Sequence, residues 1–146
     1  MKIYAALLLT FLALLPINAS AEDEVSLFDG RGRATAYISL DDELTIYLWN
    51  GKPVAYLDKD SAGGYYVYGF NGKHLGWFVS GIIRDHKGNA ACATKDRLRS
   101  TKFEPFKSFK EFKPFKAFKE FAPFRPFFSS SWSDAPCKFV LAEGGA

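Results

Sequence analysis

Four stretches of the chain share one pattern, a glycine-centred turn between two largely apolar segments, and this repeat constrains the fold more than any other feature. The turn glycines are Gly32, Gly51, Gly72 and Gly88, spaced by 19, 21 and 16 residues. Asn50-Gly51 and Asn71-Gly72 are dipeptides that favour a two-residue type I′ hairpin turn. Since one hairpin cannot bury a face alone, we expect an all-β domain of four sequential hairpins closed in a quasi-four-fold arrangement.

A two-residue turn also sets the strand register. In the second hairpin it pairs Trp49 with Lys52 and Tyr47 with Val54, so that one face is apolar and the other aromatic with polar tips. The third hairpin follows the same register, which places Leu75 on the aromatic face. Rings with hydroxyl or indole donors suit contact with a peptide or carbohydrate, whereas the alternative is packing between neighbouring hairpins. The candidate binding surface consists of Tyr47, Trp49, Tyr56, Tyr66, Tyr68, Phe70 and Trp77.

The second and third repeats carry a resemblance to a known family. The segments 46–57 (IYLWNGKPVAYL) and 68–78 (YGFNGKHLGWF) resemble the four-fold beta flower domain, over roughly residues 25–95. The family is similar in placing an extended, often proline-rich segment after its hairpins, ending near a motif like Ser131-Trp132-Ser133. The resemblance implies a small all-β domain of unknown function, and it supplies no catalytic residues.

The N-terminal residues 1–21 have the order of a secretory signal peptide. Lys2 is followed by the apolar run 5–15, which is too short to span a bilayer, and then by the cleavage signal Ala19-Ser20-Ala21. We expect cleavage after Ala21 and export to the periplasm or the extracellular space. The alternative is an uncleaved N-terminal anchor.

Charge divides the rest of the chain. Without Lys2 the net charge is +2, of which residues 101–128 carry +4, while residues 22–100 and 129–146 carry −1 each. We therefore divide the mature chain into a four-hairpin domain (22–100), an extension (101–128) and a C-terminal segment (129–146). Because the basic character belongs to the extension and not to the folded domain, we expect no nucleic-acid partner.

The extension repeats with a period of three. Phenylalanine occupies positions 103, 106, 109, 112, 115, 118, 121, 124 and 127, lysine follows at 107, 110, 113, 116 and 119, and arginine at 125. Only a helix with three residues per turn collects these rings on one edge, and the prolines of the third phase favour polyproline II. Three alternatives remain open: a disordered linker, docking of the phenylalanine edge on the aromatic hairpin faces, or contact of phenylalanine and lysine with a membrane surface.

The two cysteines are expected to form a disulfide. Cys92 and Cys137 both survive cleavage, and in an oxidising compartment an even pair commonly bridges. A bridge would tether both ends of the extension to the domain. The alternative is that Cys92 is only a small buried residue, because the fourth residue after each turn glycine is small: Ala36, Ala55, Gly76 and Cys92.

No constellation of residues points to catalysis, a metal or a cofactor. His74 and His86 fall in or beside turns and are expected at the surface, and the acidic clusters 41–43 and 58–60 are expected to be solvated connectors. We therefore expect an exported, non-enzymatic binding module whose ligand is an unknown protein, peptide or glycan. The alternative is a structural or assembly protein of the cell envelope, whose tail mediates self-association or membrane-surface contact. A third class, an enzyme or secreted toxin, has no supporting residues.

Overall fold

A computed structural model describes residues 23–145, so that the predicted signal peptide and its cleavage site at Ala21 lie outside the described residues. Eight antiparallel strands form a closed barrel in which each strand pairs with the next and β8 pairs with β1. The strands are β1 (Glu24–Phe28), β2 (Ala34–Ser39), β3 (Thr45–Leu48), β4 (Pro53–Lys59), β5 (Tyr65–Gly69), β6 (His74–Val79), β7 (Ile82–Arg84) and β8 (Ala90–Ala93). A 3-10 turn (Lys95–Arg97) follows the barrel, and a short helix, α1 (Cys137–Ala142), ends the fold. The predicted all-β fold class is confirmed.

The hairpin turns are not of the predicted type. In the second hairpin the Gly51 amide donates to the Leu48 carbonyl and the Leu48 amide to the Lys52 carbonyl, each at 2.8 Å. The loop therefore has three residues, and only its last one, Gly51 with φ of +91°, has a left-handed backbone. This is a type I turn followed by a left-handed glycine, so the type I′ assignment is wrong.

The longer loop shifts the pairs next to the turn by one residue, and a bulge restores the predicted register from Ile46 and Ala55 onward. Tyr47 pairs with Pro53 and Ile46 with Ala55, which leaves Val54 in a bulge. The third hairpin repeats this arrangement, with Leu75 in the bulge. Both side chains enter the apolar core, so their predicted place on the aromatic face is wrong. Equivalent register shifts occur in the first and fourth hairpins, and the bulge is a feature of all four repeats.

The barrel interior is filled by one apolar cluster to which every hairpin contributes, and helix α1 adds Cys137, Val140 and Leu141 to it. The small residue after each turn is crowded as expected. Ala36, Ala55 and Cys92 are fully buried. A Cβ on Gly76 would lie 1.9 Å from the Arg84 carbonyl oxygen.

The predicted disulfide between Cys92 and Cys137 is confirmed. It fastens helix α1 to strand β8, with a Cα–Cα distance of 5.0 Å. Because the two cysteines are separated by 45 positions, the closed loop contains the whole phenylalanine-rich extension.

Residues 101–129, which we call the belt, contain neither helix nor strand. The belt passes the four hairpin turns in chain order: the Lys102 amide donates to the Gly32 carbonyl and, at the other end, the Ser129 amide donates to the Gly88 carbonyl. Beyond the belt, the Trp132 ring lies 3.0 Å from a Cβ built on Gly30, in the first hairpin. The segment from 101 to 132 therefore passes round the barrel from the first hairpin to the fourth and returns to the first.

Candidate functional site

The belt is bonded to the hairpin turns at a spacing of nine residues. Backbone amides at 102, 111, 120 and 129 donate to the carbonyls of the four turn glycines, at distances of 2.8 to 3.1 Å. The turn spacings along the barrel sequence are unequal, yet the belt takes nine residues, about 28 Å of polyproline II, from each hairpin to the next. The belt thus follows the quasi-four-fold symmetry of the barrel rather than the lengths of its connectors.

Close backbone contact explains why the turns need glycine. A Cβ on Gly51, Gly72 or Gly88 would lie 1.9, 2.1 or 2.2 Å from a belt carbonyl oxygen, at Phe109, Phe118 and Phe127 respectively. All of these turn glycines also have a left-handed backbone, which a side chain disfavours. The glycines therefore serve both the turn and the seating of the belt.

Three of the four belt prolines fall where no amide is bonded, whereas Pro126 lies nine residues after Ala117 and has no amide to donate there. Pro105, Pro114 and Pro123 are nine residues apart and lie between the hairpins, whereas Ser108 and Ala117 donate their amides to the Trp49 and Phe70 carbonyls at 3.2 and 2.8 Å. Proline has no N–H to donate, so it stiffens the spans without loss of a bond.

Glu120 makes three hydrogen bonds to the third hairpin. Its amide donates to the Gly72 carbonyl, and its own carbonyl accepts a hydrogen bond from the Tyr68 hydroxyl at 3.0 Å. Its carboxylate accepts the backbone amide of His74 at 2.6 Å. At the second hairpin the residue equivalent to His74 is Pro53, which has no amide hydrogen, so the equivalent Glu111 cannot make the third bond.

The cationic edge of the belt faces the barrel wall. Lys113 lies 2.6 Å from Asp42, Lys119 lies 2.5 Å from Asp58, and Lys107 pairs with Glu24. The remaining ion pairs of this edge are Lys110 with Glu24, Lys116 with Glu43 and Arg125 with Asp60. These carboxylates belong to the start of the barrel and to the acidic connectors, which were predicted to be only solvated.

The same cations lie over aromatic rings. The ammonium of Lys107 is 4.7 Å from the centre of the Tyr37 ring, that of Lys116 is 4.3 Å from Tyr56, and that of Lys119 is 5.5 Å from Tyr68. Each of these lysine side chains therefore packs over an aromatic ring and also pairs with a carboxylate, so that it makes a cation–π contact as well as an ion pair.

The belt also tunes the acids that it contacts. Burial alone would raise the pKa of Asp42, but hydrogen bonds from Lys113 and Tyr47 outweigh it and hold the pKa below its ordinary value. Burial acts in the same sense on Asp60, where the Ala62 amide and the Arg125 guanidinium lower the pKa below its ordinary value. Both carboxylates are thus stabilised in the charged form that the belt requires.

The candidate binding surface predicted from the sequence is covered by this belt. The Trp49 indole N–H donates to the Pro105 carbonyl at 3.0 Å. The rings are buried or half-buried: Tyr47, Tyr56, Tyr68, Phe70 and Trp77 are at most 5% exposed, and Trp49 and Tyr66 are intermediate. The belt therefore covers Tyr47, Trp49, Tyr56 and Tyr68. Trp77 packs instead against His74 and His86, so the predicted residues do not form an open surface.

The phenylalanine edge of the belt faces solvent. The nine rings, which we call the rim, are 91–102% exposed: Phe103, Phe106, Phe109, Phe112, Phe115, Phe118, Phe121, Phe124 and Phe127. The expectation that this edge docks on the aromatic hairpin faces is wrong. Lysine takes that place because the faces offer carboxylates and ring faces together, a combination that favours a cation over another ring.

A histidine pair lies beside Glu120. His74 is 2% exposed, and its Nδ1 is 2.9 Å from Nε2 of His86, so the expectation that His74 is a surface residue is wrong. Burial, and then the neighbouring His86, lower the pKa of His74 from 6.5 to about 4. His74 is therefore neutral at physiological pH.

Among residues 23–145, no helix is long and apolar enough to cross a membrane, and no three side chains of the His, Cys, Asp or Glu type are grouped to hold a metal ion. A cleft of about 600 Å³ opens at the border of belt and barrel, between Trp49, Phe106 and Phe139. The two charged side chains that line this cleft, Asp29 and Arg33, form a salt bridge with each other at 2.9 Å. The dominant surface feature of the described chain is thus the rim.

The nine-residue period was missed in the sequence, although it is visible there. Glutamate at 111 and 120, and proline at 105, 114 and 123, recur at that interval within the period of three. Nine residues is three turns of polyproline II, so the longer period indicates a segment that meets a repeated partner at every third turn. The four hairpins provide such a partner.

Comparison with known proteins agrees with this architecture. A family model described as a 4-fold beta flower protein matches residues 25–141, which include the barrel, the belt and most of helix α1. No curated protein and no solved structure matches the chain.

Proposed function

The chain belongs to the 4-fold beta flower family, and from its fold and its belt we propose that it is an exported, non-enzymatic binding module whose contact surface is the rim. Export is supported by the signal-peptide pattern of residues 1–21 and is compatible with the disulfide between Cys92 and Cys137. The proposal of a non-enzymatic role rests on the sequence, in which we find no catalytic constellation.

The exposure of the rim is the observation that carries this proposal. Fully exposed phenylalanines present about 150 Å² each, or roughly 1,300 Å² over the nine rings. The largest apolar patch on a typical monomer is about 300–600 Å². Such a surface is costly in water, and a partner that covers it is the ordinary reason for its presence.

The belt fixes the rim in place for this task. Its amides are bonded to the turn carbonyls, and its cations are paired with barrel carboxylates, so the rings project from an ordered backbone. A preordered surface loses little conformational entropy on binding. In this proposal the aromatic hairpin faces bind the belt, and the rim binds the partner.

Site-specific photo-crosslinking in the producing cells tests the proposal. A benzoyl-phenylalanine at position 112 or 121 should give crosslinked products, whereas the same residue at Lys95, an exposed position of the 3-10 turn outside the belt, should give none. Absence of products from both rim positions, in a protein that folds and carries its disulfide, contradicts a binding role for the rim. A mature N-terminus at Glu22 in exported material tests the export; an intact Met1 on material retained in the cytoplasm contradicts it.

A further inference from the structure

We propose that the partner of the rim is the rim of a second copy of this chain, with the two rows of phenylalanine interdigitated. This proposal rests on the proposed function, since it names the occupant of the same surface. Three features of the molecule support it: the spacing of the rings, the charge beside them and the area that they expose.

The spacing of the rings suits pairing of like with like. Successive rim residues are three positions apart, which in polyproline II is about 9 Å. A second rim shifted by half this repeat places each ring between two rings of its partner, at about 4.7 Å. That separation lies at the close end of the range of about 4.5–7 Å preferred by aromatic pairs. A constant spacing makes the row complementary to itself, as a two-fold symmetric interface requires.

The charge beside the rim favours a second copy over an anionic lipid surface. The six basic side chains of the belt between positions 107 and 125 are paired with carboxylates of the same chain. They are turned away from the rim, so they bring no repulsion to a rim–rim contact. For the same reason they are withdrawn from lipid headgroups, the interaction that would anchor a basic aromatic segment to a membrane.

The exposed area is sufficient for the contact. A stable interface buries about 800 Å² on each partner. Five rim phenylalanines supply about 750 Å², and the encircling belt carries nine.

The oligomeric state of the mature, disulfide-bonded chain tests the pairing. We compare the wild type with a triple variant, Phe112→Ser, Phe115→Ser and Phe118→Ser, by sedimentation velocity over a hundredfold range of concentration. These side chains are fully exposed, so the variant should fold as the wild type does. Phe139→Ser is the matched control, because Phe139 is 63% exposed on helix α1 and lies outside the rim.

We expect the wild type and Phe139→Ser to associate as concentration rises, and the triple variant to require at least tenfold higher concentration. A wild type that stays monomeric throughout overturns the pairing, as does association that the triple variant retains. Flotation with phosphatidylethanolamine–phosphatidylglycerol vesicles separates this failure from failure of the proposed function. A monomeric wild type that floats, when the triple variant does not, overturns the second copy as partner and leaves the rim as a binding surface.

Discussion

The barrel and the belt differ in where their backbone amides find acceptors. In the barrel, each strand bonds to two neighbours, and the apolar faces close around a common core. In the belt, the backbone amides that bond to the barrel do so at the hairpin turns, at intervals of three, six or nine residues. The barrel is therefore stabilised by its own elements, whereas the order of the belt depends on the surface beneath it.

The two regions also use aromatic residues in opposite ways. The barrel rings are buried under the belt, where Tyr56 and Tyr68 receive lysine side chains. The belt rings are exposed to solvent. A strongly apolar segment thus docks by its polar edge when the receiving surface combines rings with carboxylates. Docking then leaves the apolar edge available for another partner.

Loss of the disulfide should lower the stability of the protein more than any other change, because the disulfide closes the loop that holds the belt against the barrel. For a loop of this length, the free energy of unfolding should fall by about 4 kcal/mol in Cys137→Ser. Denaturant unfolding of the oxidised wild type and the variant measures the difference. Reductant should destabilise the wild type and leave the variant unchanged. An equal free energy of unfolding in the two proteins would contradict the role of the bridge.

Gly51→Ala should separate turn strain from belt seating. A left-handed alanine costs about 1 kcal/mol, and its Cβ would in addition meet the Phe109 carbonyl at 1.9 Å. We expect a total loss of about 3 kcal/mol and faster tryptic cleavage in the lysine-rich belt. Gly63→Ala is the control, because Gly63 has φ of +101° with no atom within 4 Å of its Cβ. Equal losses in the two variants would show that the belt does not rest on the turn.

Acid should lower the free energy of unfolding through His74, which lies where the belt residue Glu120 contacts the barrel. Its pKa is about 4 in the folded protein and 6.5 without that environment, so the unfolded chain binds the proton more readily between these values. The contribution of neutral His74 to the free energy of unfolding is therefore retained above pH 6.5 and is lost as the pH drops toward 4. The loss is on the order of 2 kcal/mol at pH 4.5. The charged and titratable groups that influence His74 include His86, Glu120 and Asp60.

Urea unfolding at pH 7 and pH 4.5 measures this loss. His74→Phe should flatten the dependence in that interval, because it removes the titrating ring. The lowered pKa values of Asp42 and Asp60 act only at lower pH, as stability is lost when the pH falls through them. A wild-type stability that is constant from pH 7 to 4.5 would contradict the buried, neutral state of His74.

The smallest effect should come from the carboxylate of Glu120. Glu120→Ala leaves the His74 amide without its acceptor and should cost about 1–2 kcal/mol. Glu111→Ala is the matched control, since it stands nine residues earlier and faces Pro53, which has no amide to satisfy. Thermal unfolding of both variants measures the difference. Identical melting temperatures would contradict the hydrogen bond between the Glu120 carboxylate and the His74 amide.

Much of the barrel could be predicted from the sequence, and the reasons are local. Glycine recurs where the backbone must be left-handed, and the segments around it carry strand residues, so the four hairpins and their closure follow. The strand register beyond the bulge could be predicted, since Ile46 pairs with Ala55 as expected, but the pairing beside the turn could not, because Asn50-Gly51 fits both a two-residue turn and the end of a three-residue loop. The choice depends on the bulge at Val54, which gains burial in the core.

The belt was predictable in its period but not in its orientation. Hydrophobicity favours burial of phenylalanine, and the sequence alone does not show that Asp42, Asp58 and the tyrosine rings lie within reach of the lysines. The burial of His74 was missed for the same reason, since the group that covers it, Glu120, is far away in the chain. These contacts are long-range, and composition does not report them.

Residue-resolved amide hydrogen exchange of the wild type tests most directly whether the belt is docked by its turn-facing edge with the rim outward. The amides of Ser108, Glu111, Ala117 and Glu120 donate to barrel carbonyls, whereas the rim amides, such as Phe112 and Phe115, have no such acceptor. We expect slow exchange at the first set and fast exchange at the rim, so that protected amides come in pairs three residues apart and the pairs recur every nine residues. Uniformly fast exchange across residues 103–127, in a protein whose strands remain protected, would contradict it.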